Sequence, residues 1–170
     1  GWLPKRRAEK NLEKGGGPMP RVEARVEIDA PLPLVYEIAK GAEEFPQFMP
    51  DVKEVKILER KGGRVVTSWV GVVREFGREI RWTEEDLWDD ERHECRFRML
   101  EGDFDRYEGV WRFFDLGEGR TGTELVVDYE INIPLIGPLI KGLIAKKMRE
   151  NCQGMLEGLK QRAEERAREG

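Results

Sequence analysis

Leu139 to Arg166 reads LIKGLIAKKMRENCQGMLEGLKQRAEER, and this stretch decides the fold. Leu139, Ile140, Leu143, Ile144, Met148, Cys152, Met155, Leu156, Leu159 and Ala163 recur at spacings of three and four, which lines one face of a helix. Lys146, Arg149, Glu150, Lys160 and Glu164 fall on the opposite face. The helix is expected to start after Pro138, and its last turns, Ala163 to Gly170, become polar and are expected to fray. A long amphipathic helix needs an apolar surface to lie on.

The residues before it supply that surface. From Arg21 to Ile28, Val22, Ala24, Val26 and Ile28 alternate with Arg21, Glu23, Arg25 and Glu27, the period of a half-buried strand. Asp29-Ala30-Pro31 then predicts a helix start, with Asp29 as cap, Leu34, Val35 and Ile38 as its apolar face and Gly41 as its end. Ala42 to Met49 reads as a second short helix carrying Phe45, Phe48 and Met49 on one side. Six strand patterns follow: Val52 to Arg60, Val65 to Glu75, Arg78 to Trp88, His93 to Met99, Tyr107 to Phe113 and Thr123 to Ile131. Turn signals separate them, among them Lys61-Gly62-Gly63-Arg64, Asp89-Asp90-Glu91, Glu101-Gly102-Asp103 and Gly117-Glu118-Gly119. The predicted class is α+β. A curved antiparallel sheet of about seven strands wraps around one C-terminal helix, with two short helices after strand one. That geometry encloses a hollow.

A chain of 170 residues is long enough for one cored domain, placed at residues 19–170. Residues 1–18 carry Lys5-Arg6-Arg7 and Gly15-Gly16-Gly17-Pro18 and are expected to form a flexible extension. The formal net charge of −4, from 34 acidic and 30 basic residues, gives no general attraction to nucleic acid, so none is expected as a partner. Cys95 and Cys152 are isolated thiols rather than a disulfide framework, which makes the cytoplasm the expected compartment. His93 is the only histidine, and no metal or other cofactor is expected. No apolar run reaches the ~18 residues of a membrane-spanning helix.

Trp69, Trp82, Phe97, Met99, Tyr107, Trp111, Phe113 and Tyr129 fall at inward registers of successive strands. Such a set either packs a solid core or walls a ligand cavity, and aromatic and thioether side chains facing a single helix favour the wall. Met148, Cys152 and Met155 face it from the helix. Phe45, Phe48, Leu135 and Ile136 are the candidate pocket mouth, a gate able to touch a membrane transiently. Glu84 and Asp86 share parity with Trp82. Inside an apolar pocket they would be acid/base groups with raised pKa values; at a strand end they would be solvated charges, the commoner case. Tyr36 and Tyr107 are candidate hydroxyl donors, and His93 lies beside a turn.

Several local pieces resemble a known superfamily. They are Asp29-Ala30-Pro31, Phe45-Pro46-Gln47-Phe48, Gly102-Asp103-Phe104, Gly109-Val110-Trp111-Arg112-Phe113 and Gly122-Thr123-Glu124-Leu125, followed by the terminal helix. Over residues 20–167 the chain resembles the START and birch-pollen-allergen-like (SRPBCC) superfamily, in its polyketide cyclase/dehydrase and coenzyme-Q-binding branch. Phe45 stands where many members carry tryptophan. The resemblance implies a helix-grip fold with an apolar cavity between sheet and helix. It implies binding or carrying of a hydrophobic small molecule: a quinone, isoprenoid or other lipid. Two alternatives stay open, a polyketide aromatase/cyclase-dehydrase and a ribosome- or protein-associated module. A carrier is expected over an enzyme, with catalytic residues unassigned.

Overall fold

The computed structural model describes residues 20–131 and 137–170; the extension expected at residues 1–18 and the mouth residues Leu135 and Ile136 lie outside the described residues. Strand β1 (Arg21–Ile28) buries Val22, Ala24, Val26 and Ile28 and turns its charged residues outward, as its alternation requires. Helix α1 (Leu32–Lys40) follows. Its cap is Pro31, whose carbonyl accepts the Leu34 and Val35 N–H groups at 3.0 and 3.2 Å. Asp29 does not cap it, pairing instead with Arg120 at 3.3 Å. The second short element is a 3-10 turn (Ala42–Gln47) because Pro46 lies inside it and has no N–H to donate.

Six further strands follow: β2 (Val52–Lys61), β3 (Arg64–Val73), β4 (Arg78–Asp89), β5 (Glu94–Gly102), β6 (Arg106–Gly117) and β7 (Arg120–Glu130). A short 3-10 turn, Arg74–Phe76, joins β3 to β4. All neighbours pair antiparallel, in the order β1-β7-β6-β5-β4-β3-β2. Helix α2 (Pro138–Glu169) lies across the concave face. Seven antiparallel strands curved around one long helix are the helix-grip arrangement expected from the sequence.

Both sheet edges are managed. Beside β2, the Glu43 carboxylate accepts the Ile57 N–H at 3.1 Å. Beside β1, Lys160 Nζ donates to the Glu27 carbonyl at 2.6 Å, and Glu164 accepts the Asp29 N–H at 2.9 Å. These bonds correct the expectation of a fraying helix end: Ala163 is fully buried and α2 continues to Glu169.

The convex face carries cross-strand charge ladders. Arg112 joins Glu94 and Glu124, Glu85 takes Arg64 and Arg98, and Asp128 holds Arg21 through two bonds of 2.7 and 3.0 Å. Val110 and Val126 face outward yet are buried beneath these long side chains, which lay their aliphatic stems on them. The shallow groove on this face, about 300 Å³, is walled by those ion pairs.

Candidate functional site

The two ends of the concave face differ. At one end α1 and the first 3-10 turn fill the space. Tyr36 stands edge-on to Trp88, His93 and Phe113 at 5.4, 5.1 and 5.4 Å, and Phe45 packs on Trp69 and Trp111 at 5.8 and 6.4 Å. The second half of α2 seals this end through Cys152, Leu156, Leu159 and Ala163. Gly158 is required there, since a Cβ would lie 2.2 Å from the Phe48 carbonyl oxygen.

At the other end the first half of α2 stands off the sheet. Leu139 is 84 % exposed and Ile140 43 % exposed, although both continue the apolar stripe. A cleft of about 570 Å³ opens here, with Val73, Phe76, Ile80, Phe104, Ile131, Ile140, Ile144 and Met148 as apolar walls. Arg78, Glu79, Asp103, Asp105, Lys147 and Asn151 complete its lining. The cleft leads into a recess of about 70 Å³ between Trp69, Trp82, Tyr107, Cys152 and Met155, the two spaces sharing Val73, Ile80, Phe104, Met148 and Asn151.

Register builds the recess wall. Trp69 on β3 pairs directly with Trp82 on β4, and their rings stack at 5.6 Å and 9°. Trp82 also meets Tyr107 at 5.1 Å and Phe104 at 5.7 Å, while Phe104 and Tyr107 stack at 4.7 Å. Gly102 makes this possible. Its φ is +151° and a Cβ would lie 2.5 Å from Trp82 Cβ, so only glycine lets the chain cross there and bring Phe104 under the indole. Asp103 holds the crossing, exchanging bonds of 2.7 and 2.9 Å with the Arg81 backbone.

Six of the sequence-predicted residues meet at the recess: Trp69, Trp82, Tyr107, Met148, Cys152 and Met155. Trp111 and Phe113 stack on each other at the filled end, and Phe97, Tyr129 and Phe45 are buried in the core outside the cleft lining. Met99 packs partly buried against the core. Phe48 is half-buried under the Arg162 guanidinium, 4.7 Å above its ring, also away from the cleft lining. Phe104 and Ile131, not selected as ligand contacts from the sequence, line the cleft. Gly102-Asp103-Phe104 was the available signal for the first of these.

Behind the indole wall lies a polar group inside the core. Glu84 and Asp86 are 4 % and 7 % exposed, which overturns the commoner expectation of solvated strand-end charges. The β4 register does not flip after Gly77, so their parity with Trp82 holds. Trp82 Nε1 donates to Glu84 Oε1 at 2.7 Å. Trp69 Nε1 donates to Thr67 Oγ1 at 2.8 Å, and Thr67 Oγ1 donates to Asp86 Oδ2 at 2.7 Å. Burial pushes Glu84 well above the ordinary carboxylate range, and the adjoining Asp86 charge and hydrogen bond push it further. Burial also raises Asp86, against hydrogen bonds from Glu84 and Thr67 that lower it. The two carboxyls stand two residues apart on one face of β4, and burial favours the protonated, neutral form of both.

Burial keeps the Cys152 thiol and the Tyr107 phenol of the recess neutral. The Cys152 thiol is pushed up to about 12, which removes it as a thiolate nucleophile at neutral pH. Tyr107 is raised by burial, with Cys152, Glu84 and Asp86 adding to it, so its hydroxyl stays a hydrogen-bond donor.

Residues 28–156 match the sequence pattern of the family described as polyketide cyclase / dehydrase and lipid transport. The chain belongs to this family. Its architecture is the helix-grip fold, a curved seven-stranded antiparallel sheet around one long helix. A protein of known crystal structure from Thermus thermophilus is 41 % identical, with a TM-score of 0.80 over 85 % of this chain and 97 % of that one. The Zhui aromatase/cyclase of a Streptomyces species is 25 % identical, with a TM-score of 0.80 over 87 % and 95 %. A START superfamily protein from Mycobacterium smegmatis shares the fold at 21 % identity and a TM-score of 0.72, over 85 % and 97 %. No curated protein matches the chain. Among the described residues, no helix is long and apolar enough to cross a membrane.

Proposed function

We propose that this protein binds and carries a hydrophobic small molecule, a quinone, isoprenoid or other lipid, in the cleft between α2 and the sheet. One observation carries this reading: an apolar cleft of about 570 Å³ narrows into an aromatic recess. Its size is that of sites for small organic ligands. Burying ~400 Å² of apolar ligand surface at ~25 cal/mol/Å² gives roughly 10 kcal/mol before association costs, consistent with micromolar affinity. The mechanism is sequestration. Tyr107 offers a hydroxyl to orient a ligand oxygen, while the apolar walls exclude water. Exposed Phe76, Leu139 and Ile140 near the mouth, beside exposed Arg74, Arg78 and Lys141, support loading from an anionic lipid surface.

The test is organic extraction of the purified protein followed by mass spectrometry. A stoichiometric quinone or lipid is expected. Protein that carries none, and takes up none from vesicles, refutes the carrier.

A second reading is favoured by the likeness to the Zhui aromatase/cyclase, which extends over 95 % of that chain. In it the cleft folds a poly-β-ketone and Tyr107 donates a hydrogen bond to a reacting carbonyl, promoting ring closure and dehydration. Tyr107→Phe would then abolish turnover of a poly-β-ketone substrate while leaving carrier-type binding in place.

A further inference from the structure

We propose that the buried Glu84–Asp86 pair is a positioning device that fixes the ring planes of Trp69 and Trp82, and so makes the recess select flat ring systems over flexible chains. The inference rests on the reading of the cleft as a ligand site.

A pair of carboxyls in a core costs stability unless every polar atom is paired. Here the pairing leads directly to the ligand wall. An indole has one N–H donor, and in an apolar wall that donor makes the one directional bond that sets its rotation about the bond to Cβ. Trp82 spends that donor on Glu84 at 2.7 Å, and Trp69 spends its own on Thr67 at 2.8 Å, which passes the bond to Asp86 at 2.7 Å. Glu84 and Asp86 are buried two residues apart on the same face of β4, so both tethers end on one short piece of one strand. Both rings are tethered to one rigid object, and they stand parallel within 9°.

Parallel, immobile rings matter to one ligand class. A planar conjugated ring gains from offset stacking or edge contact, which depends on ring orientation. An acyl chain gains only from buried area, which does not. The wall's orientation therefore discriminates between them. Neither Glu84 nor Asp86 lines the cleft or the recess, so both act through the tryptophans.

The experiment compares Glu84→Met, which removes the acceptor at similar length, with Glu84→Gln. The glutamine keeps an acceptor for Trp82 and supplies an amide donor to Asp86. The first readout needs no ligand: the exciton couplet of the stacked indoles in circular dichroism. The second is affinity for menadione, a flat naphthoquinone, against affinity for oleate. Glu84→Met is expected to lose the couplet and to bind menadione about tenfold more weakly, the size of one lost aromatic contact, with oleate changed less than about twofold. Glu84→Gln is expected to match the wild type in all three.

An unchanged couplet in a folded Glu84→Met protein overturns the tether, and equal loss for both probes overturns the selectivity. If Glu84→Met does not fold, Thr67→Val cuts the Trp69 arm alone, with the same expectations and the same refutations. A wild type that binds neither probe overturns the binding reading and the selectivity with it. The couplet comparison still decides the tether.

Discussion

The raised pKa of the buried Glu84 carboxyl makes fold stability depend on pH with a definite sign. In the unfolded chain Glu84 ionises near its ordinary pKa of ~4.3. In the folded protein burial and the Asp86 charge raise it, so from about pH 4 upward the native state holds a proton that the unfolded state has released. This contribution to stability is fully present below the unfolded pKa. It is lost as pH rises through the folded one, at up to about 1.4 kcal/mol per pH unit. Glu84→Gln is neutral in both states and keeps an acceptor for the Trp82 N–H. Relative to the wild type the variant should gain up to roughly 2.7 kcal/mol between pH 5 and pH 7. Nearby thiols and phenols do not intrude, because burial raises Cys95, Tyr107 and Cys152 further above that window. Urea unfolding of both proteins across that range measures the difference directly. Parallel stability profiles, with a constant gap at every pH, would refute the raised Glu84 pKa.

Three further outcomes are expected. Gly158→Ala drives a Cβ to within 2.2 Å of the Phe48 carbonyl oxygen, a backbone atom that cannot swing aside, and should cost about 1–3 kcal/mol, read as a lower urea midpoint at unchanged slope. Met148 lines both the outer cleft and the recess, so Met148→Trp should block the passage and weaken menadione binding at least about tenfold, with folding changed by less than about 1.5 kcal/mol. Leu139→Ser should leave thermal stability unchanged, because Leu139 is already 84 % exposed, yet slow ligand uptake from anionic vesicles roughly tenfold by removing an apolar membrane contact. Uptake at the wild-type rate would remove Leu139 from the loading surface.

The architecture was legible because its elements differ in period. Arg21–Ile28 alternates by two and Leu139–Arg166 by three and four, and turn residues punctuate the strands between them. The site was half legible. Parity along a strand tells which residues face inward, but not which end of the sheet they occupy. Trp82 and Trp111 both face inward, yet Trp82 lines the open end and Trp111 lies under Phe45 at the filled one. That division follows from where α1 and the first 3-10 turn dock, a tertiary fact with no local pattern. Glu84 and Asp86 show the complementary failure. Their parity placed them inside, and a register flip by a bulge near Gly77 and the general rarity of buried carboxylates argued otherwise. What decides the matter is a set of donors at matching registers, with Thr67 opposite Glu84 and Trp69 opposite Trp82, a relation that exists only once β3 and β4 are paired.

The same apolar stripe along α2 does two different things, and the difference has a mechanical cause. Its second half is fixed at several points: Gly158 against the Phe48 carbonyl, Lys160 on the Glu27 carbonyl, and Glu164 on the Asp29 amide. These bonds and the buried Cys152, Leu156, Leu159 and Ala163 hold the helix against β1 and the filled end. Among the described residues, Ile144, Met148 and the Lys147–Glu75 pair at 2.9 Å hold the first half near the open end. A rigid helix anchored at one end projects over the sheet like a lever, and the space beneath its free half is the cleft. Sheet curvature alone would give a hollow that side chains could fill. Anchoring one half, with α1 and the first 3-10 turn docked at the filled end, keeps it open. Stability and ligand access are thereby assigned to different residues of a single helix.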